Sequence, residues 1–95
     1  MTTVEQTLVE RGTRYGKFDG HAKISQGLKD FIMAQEGWQR LSPDQREALD
    51  MIMHKVARAL NGEPNYDDTW RDICGYSQLV LDKITKTGIY AEPQS

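Results

Sequence analysis

Ninety-five residues suffice for one domain of ordinary size and leave no room for a second. The net charge of −2 and a pI near 5.6 provide no overall positive field to attract nucleic acid or anionic lipid, although local basic clusters can still bind phosphate. The single cysteine excludes an intramolecular disulfide, and the sequence lacks both a membrane-length apolar run and a signal peptide's apolar core, so we expect a cytoplasmic protein.

The first predicted helix covers about residues 3–11 and places Val4, Leu8 and Val9 on one side. It is predicted to end at Gly12. The following stretch, residues 11–20 (RGTRYGKFDG), contains three glycines and has no helical period. We therefore expect an ordered loop there.

A second helix is predicted over about residues 21–35, because apolar side chains recur there at helical spacing: Ile24, Leu28, Phe31 and Ile32. The third helix has the clearest boundaries. Ser42 is placed as an N-cap, Pro43 takes the first helical position, Gln45 can close a capping box, and Asn61-Gly62 marks the end. Its apolar stripe consists of Leu49, Ile52, Met53, Val56 and Leu60.

After a linker over residues 63–66, a fourth helix is predicted to begin with Asp67 or Asp68 as its cap and to end near Thr87-Gly88. Its predicted core face consists of Trp70, Ile73, Cys74, Ser77, Leu81 and Ile84. Strand signals are absent from the sequence. We therefore expect one all-α domain over residues 1–95, a small bundle of about four helices, with an ordered core over 3–88 and a loose tail over 89–95. Because such a chain buries only a modest core, we also expect a homo-oligomer.

Polar side chains gather on the third helix opposite its apolar stripe: Glu47, Asp50, His54, Arg58 and Asn61, with Lys55 beside them. On the fourth helix, Asp68 and Asp72 share a face with Gly75. If the two helices are antiparallel neighbours, their four carboxylates approach the same space and suit a hard cation such as Mg²⁺. Lys55 and Arg58 would then face the phosphates of a substrate.

The same faces also have simpler interpretations. A charged face opposite an apolar stripe is typical of any surface helix, and the carboxylates can be plain solvated groups. His54 is more commonly a surface or pairing histidine than a metal ligand, and Asp68 can serve only to cap its helix. An interior glycine such as Gly75 indicates close approach of another backbone or of a ligand. Cys74 lies on the predicted core face and is interpreted as core packing.

The stretch over residues 11–20 concentrates cationic and aromatic side chains: Arg14, Tyr15, Lys17 and Phe18, with Lys23 nearby. Two interpretations of this cluster stay open. Its aromatic rings can stack on a base while its cations hold phosphates. Alternatively, the rings seal the open end of the bundle.

Three stretches together resemble a family of small proteins encoded by phages and prophages. They are residues 10–18 (ERGTRYGKF), residues 41–62 (LSPDQREALDMIMHKVARALNG), and residues 64–66 (PNY) followed by 72–76 (DICGY). More remotely, the helix pair is similar to the all-α nucleotide pyrophosphohydrolases of the MazG and dUTPase-like type. Those enzymes hold Mg²⁺ between acidic residues of two helices, release pyrophosphate from nucleoside triphosphates, and generally work as dimers or tetramers.

This resemblance implies a MazG-like fold and assigns roles to the acidic residues. Glu47 and Asp50 would form the acidic pair of the first metal helix, and Asp72 with Asp68 the pair of the second. Glu47, Asp50 and Asp72 would be catalytic. The enzymes carry the denser pattern Glu-Glu-x-x-Glu followed by Glu-x-x-Asp, whereas this chain has Arg46 ahead of Glu47.

Three functions follow. The first is Mg²⁺-dependent hydrolysis of a nucleotide. The second is a non-catalytic phage anti-defence protein that binds and sequesters a nucleotide-derived signal in the bacterial host. Its predicted ligand-binding residues are Arg14, Tyr15, Lys17, His54, Lys55 and Arg58. The third is the masking of a host protein, with Trp38 as an exposed aromatic anchor.

Overall fold

The computed structural model describes residues 3–93. This part of the chain forms four α-helices, α1 (Val4–Tyr15), α2 (Phe18–Met33), α3 (Pro43–Asn61) and α4 (Asp67–Thr85). Two short 3₁₀ helices, Glu36–Arg40 and Gly88–Tyr90, follow α2 and α4. The prediction of an all-α chain with four helices is confirmed. None of the described helices combines the length and the apolarity needed to cross a bilayer.

The loop predicted over residues 11–20 is wrong, because helix occupies most of it. The helix α1 continues through Gly12 to Tyr15, so only Gly16 and Lys17 separate it from α2. A capping box between Thr3 and Gln6 starts α1. One interior glycine costs a helix about 1 kcal/mol, which is too little to end one that is capped in this way.

The boundaries of α3 agree with the prediction, whereas the start of α4 differs from it. The Ser42 hydroxyl accepts from the Gln45 amide, and the Ser42 amide donates to the Gln45 side chain. At α4 the N-cap is Tyr66 and no side chain caps the helix. Asp67 and Asp68 lie inside its first turn, where carboxylates favour the helix dipole.

The central element is α3, which packs against α2 on one side and α4 on the other. The helices α3 and α4 are antiparallel: Lys83 Nζ near the end of α4 lies 3.0 Å from Asp44 Oδ1 at the start of α3, and Lys55 Nζ lies 2.8 Å from Asp72 Oδ2. By contrast, α2 and α4 scarcely touch, and α1 makes only small contacts with α2 and α3. The helices therefore form an open layer around α3.

An open layer buries little apolar surface. Among residues 3–93, only three apolar residues are buried: Trp38, Ala48 and Ala57. The predicted core face of α4 is largely wrong for a single chain, because most of it is exposed: Trp70 (53%), Cys74, Ser77, Leu81 (51%) and Ile84 (65%). The radius of gyration is 16.3 Å, against about 12 Å for a compact domain of this length.

Asn61, the last residue of α3, holds the short link between α1 and α2. Its side-chain Nδ2 donates to the carbonyl oxygens of Tyr15 (2.8 Å) and Lys17 (2.9 Å). Gly16 lies between these carbonyls with φ of 78°, and a Cβ there would collide with the Asn61 backbone oxygen. The backbone amide of Glu63 also donates to the Arg14 carbonyl. The chain reversal after α1 is therefore fixed to the end of α3.

Replacing Asn61 with alanine is expected to lower the free energy of unfolding by about 1–3 kcal/mol, because the Tyr15 carbonyl loses its side-chain donor and the Lys17 carbonyl keeps only the His21 amide. Urea denaturation followed by circular dichroism would measure this change. Asn65→Ala, in the exposed linker, is the matched control and should stay within about 0.5 kcal/mol of the wild type. Equal effects of the two substitutions would contradict a structural role for the Asn61 amide.

Candidate functional site

A pocket of about 590 Å³ opens where α1 ends, α2 begins and the second half of α3 passes beneath them. Tyr15 and Lys17 reach it from the link held by Asn61, and Arg58 reaches it from one turn earlier on α3. The volume lies within the usual range for small-molecule sites. Four of the six predicted ligand-binding residues line it: Tyr15, Lys17, His54 and Arg58.

Two histidines in edge-to-face contact form part of the pocket wall. His21 Nε2 of α2 lies 3.3 Å from His54 Nδ1 of α3, with the rings edge to face and their centroids 4.5 Å apart. One nitrogen must therefore donate while the other accepts. His21 is only 5% exposed, and its Nδ1 has no hydrogen-bond partner among residues 3–93. A buried nitrogen without a partner is rare in a folded protein.

Both histidines are held in the neutral form. Burial, together with the smaller effects of the charges of Arg58, His21, Lys29 and Lys55, lowers the pKa of His54 to about 4. Burial and then the charge of Arg58 also lower the pKa of His21. Cations that disfavour a protonated histidine favour an anion at the same place. The pocket therefore combines a positive potential with uncharged imidazole walls.

Aromatic rings and guanidinium groups alternate along one side of the pocket. The Arg58 guanidinium lies 4.3 Å from the centre of the Tyr15 ring, Tyr15 meets Tyr66 edge to face at 5.9 Å, and Arg14 lies 4.5 Å from the Tyr66 ring centre. Arg14 also approaches Glu10 at 3.7 Å. Arg14 therefore packs on Tyr66, which in turn contacts Tyr15. It lies outside the main pocket, contrary to its predicted role as a direct ligand contact.

The basic residues of the pocket keep their charges free. Among the ion pairs within residues 3–93, none involves Arg11, Lys17 or Arg58, all of which line the pocket. Phe18, at the first position of α2, is 79% exposed and lies tilted over His21 at 6.1 Å between ring centroids. An exposed aromatic face beside unpaired cations provides a stacking surface and an anion site together.

The predicted acidic site is not assembled within one chain. Glu47 is exposed, Asp68 accepts from the Tyr66 hydroxyl and approaches Arg71, and Asp72 pairs with Lys55. Asp50 is half-buried, and its Oδ1 has no partner in the described part of the chain. Residues 3–93 contain no group of three or more His, Cys, Asp or Glu side chains that could hold a metal ion. As placed in one chain, these residues do not fit Mg²⁺.

Lys55 has a structural position that differs from its predicted one. It points toward α4, where its side chain is 11% exposed and its ammonium group contacts Asp72 Oδ2 at 2.8 Å. A buried ammonium group needs such a partner, because its desolvation is otherwise uncompensated. Lys55 and Asp72 therefore join α3 to α4 on the side of α3 away from the histidine pair.

A family model described as a domain of unknown function (DUF6378) matches residues 1–83. The chain belongs to this family. No curated protein matches the chain, and no solved structure does. The matched segment contains the three helices that form the pocket wall, α1, α2 and α3, and most of α4.

Two pocket residues were missed by the sequence interpretation, Arg11 and His21, whereas Phe18 was named as a possible stacking ring but not among the six predicted ligand-binding residues. His21 was placed only as the start of a helix, yet it is among the most buried residues of the chain. A signal existed for Phe18 and Arg11, since they flank the Tyr15–Lys17 stretch in the sequence. No local pattern indicates that His21 meets His54, because 33 residues separate them.

Asp72→Asn is expected to destabilise the chain by about 1–3 kcal/mol, because it leaves the Lys55 ammonium group without its carboxylate. Thermal and urea denaturation would measure the loss. Asp67→Asn is the matched control: Asp67 pairs with Arg71 at 2.7 Å in an exposed setting, where an ion pair contributes less than about 1 kcal/mol. A smaller effect at Asp72 than at Asp67 would contradict the structural role of the Lys55 pair.

The stability of the fold should fall as the pH decreases from about 6.5 to about 4, since His54 has a folded-state pKa near 4 against 6.5 in the unfolded chain. Between these pH values His54 binds a proton in the unfolded chain but not in the folded chain, so protonation favours unfolding. His54→Gln should flatten this part of the pH profile, which urea denaturation at a series of pH values would reveal. A titration of the His54 ring by NMR with a midpoint near 6.5 would contradict the prediction.

Proposed function

We propose that this protein binds a nucleotide or a nucleotide-derived small molecule in the pocket between α1, α2 and α3, and that it binds the ligand without cutting it. The observation that carries the proposal is the gathering of unpaired cations, exposed aromatic rings and neutral histidines around one cavity. A nucleotide has the matching parts: a flat base, hydrogen-bonding edges and a polyanionic phosphate chain.

Arg58 and Lys17 are the residues we assign to the phosphates. Arg58 is fixed by its stacking on Tyr15, so its guanidinium donors are already oriented before a ligand arrives. Lys17 projects from the link that Asn61 holds, on the same side of the pocket. Preorganised cations lose little side-chain entropy when they bind, and this supports recognition of a small anion.

Phe18 and the histidine pair are the residues we assign to the base. Phe18 presents a free ring face at the pocket wall. A neutral imidazole can both donate and accept, so the histidine pair at the pocket wall can contact the edges of a base.

Binding without hydrolysis is favoured over a pyrophosphohydrolase because the acidic residues lie elsewhere. Lys55 already neutralises Asp72, and Glu47 lies on an exposed part of α3. The remote similarity to MazG-type enzymes therefore supports a nucleotide ligand more than it supports their chemistry. The resemblance to phage and prophage proteins supports a role inside a bacterial host cell, where sequestering a nucleotide-derived signal would counter a host defence.

The hypothesis that this protein masks a host protein relied on Trp38 as an exposed anchor, and Trp38 is not exposed. Trp38 is buried beneath the side chain of Arg46, whose guanidinium lies 5.9 Å from the indole ring and whose Nε donates to the Trp38 carbonyl. It is therefore part of the packing between the first 3₁₀ helix and α3.

Mass spectrometry of small molecules that co-purify with the protein would identify the ligand, and incubation of that compound with protein and Mg²⁺ would test its fate. We expect the compound to be recovered intact. Recovery of a monophosphate and pyrophosphate, lost in Glu47→Gln, would instead support the hydrolase. We choose Glu47 because a change at Asp72 also disturbs folding through Lys55.

Arg58→Ala is expected to weaken binding of the identified nucleotide by about tenfold or more, since a charge-assisted contact contributes about 1.5–3 kcal/mol. Isothermal titration calorimetry would measure the change. Arg40→Ala is the matched control, because Arg40 lies in the first 3₁₀ helix at the opposite end of α2 and α3. Undiminished affinity in Arg58→Ala, or no binding across a panel of nucleotides, would overturn the proposal.

A further inference from the structure

The exposed face of α4 carries a mostly apolar stripe with the spacing that helices use when they pack on one another. Its residues lie at positions 70, 74, 77, 81 and 84, in steps of four, three, four and three residues: Trp70, Cys74, Ser77, Leu81 and Ile84. Such steps place side chains along a straight seam that a second helix can cover. The side of α4 that faces α3 is different, since it carries Thr69 and Asp72. The seam therefore does not form the contact between α4 and α3.

As far as residue 93, where the described structure ends, the C-terminal segment does not cover this seam. Tyr90 of the second 3₁₀ helix lies in a depression with Tyr76 and Leu79. Leu79 is two residues from Leu81, on the other side of the helix. The Trp70 indole nitrogen already donates to the Pro64 carbonyl at 2.7 Å, so the exposed remainder of its ring is apolar.

The amount of exposed surface indicates a partner of matching size. The chain has a solvent-accessible surface of 7256 Å², whereas a folded monomer of its mass exposes about 5,600 Å². The excess, about 1,700 Å² per chain, exceeds the roughly 800 Å² that each partner contributes to a standard interface and falls within the range of obligate homodimers. Next to the seam, an apolar groove between α3 and α4 continues the same face, lined by Leu49, Ile52 and Ser77.

We propose that a second copy of this chain covers the seam, with α4 packing antiparallel to the partner's α4 around a two-fold axis near Ser77. The seam is nearly symmetric about Ser77, so the antiparallel arrangement opposes Cys74 to the partner's Leu81 and Trp70 to the partner's Ile84. The small Cys74 then faces the larger Leu81, and the large Trp70 faces the medium-sized Ile84. The two Ser77 residues allow the helices to approach closely at the axis. A parallel pair would instead oppose Trp70 to Trp70 and leave the layers uneven.

Self-association through this face does not depend on a ligand in the pocket. Sedimentation equilibrium of the full chain is expected to give twice the mass of 10.9 kDa. Leu81→Glu should return it to the mass of one chain, with its helical circular dichroism retained. Val9→Glu, on the exposed side of α1, is the matched control and should remain a dimer. A wild-type chain that stays monomeric, or a Leu81→Glu variant that dimerises as the wild type does, overturns the proposal.

Oxidative cross-linking tests the direction of the helices and does not require a destabilising charge. In the antiparallel pair the two native Cys74 residues are about 9 Å apart along the axis, too far for a disulfide. Leu81→Cys, with Cys74 retained, should therefore yield cross-linked dimers, whereas the wild type should yield none. Leu81→Cys combined with Cys74→Ser should also yield none. Cross-linking of the wild type or of this double variant would indicate parallel helices and overturn the antiparallel arrangement.

Discussion

The hydrogen bonds from the Asn61 side chain to the Tyr15 and Lys17 carbonyls are the constraint on which the rest of the structure depends. The last carbonyls of a helix have no partner within that helix. Asn61 donates to one of them, that of Tyr15 at the end of α1, and also to the carbonyl of Lys17, the N-cap residue of α2. The same contact places Gly16 against the Asn61 backbone, where a side chain would collide. The link between α1 and α2 is therefore fixed to the end of α3, in addition to the packing of α2 along α3.

This attachment creates the pocket. Tyr15 and Lys17 come from the link itself, His21 from the first turn of the following helix, and Arg58 from one turn before Asn61. The C-terminal part of the polar side of α3, from His54 to Asn61, thus meets α2 and the link, whereas Glu47 near its start stays exposed. Histidine, arginine and asparagine on that side contact α2 or the link, where burial and neighbouring cations keep the imidazoles neutral.

Packing of the polar side inward has a consequence for the apolar stripes. In the open layer, α3 uses its flanks to contact α2 and α4, so much of the apolar surface of α4 lies on the outside. Because α4 turns the apolar residues of its seam outward, the single chain buries few apolar residues in its core. An arrangement of this kind is stable when further apolar surface covers it, since burial of such surface is the main favourable term in folding.

The sequence by itself determined the number of helices and the boundaries of α3, because capping boxes and helical periodicity are local interactions among residues a few positions apart. It also indicated the Arg14–Lys17 stretch as a place for a ligand, although it assigned that stretch to a loop. Only the tertiary structure decided which side of each helix meets which partner. The same i, i+4 spacing suits a solvated face and a buried one, and the contacts that distinguish them join residues more than thirty positions apart, such as His21 with His54 and Tyr15 with Asn61.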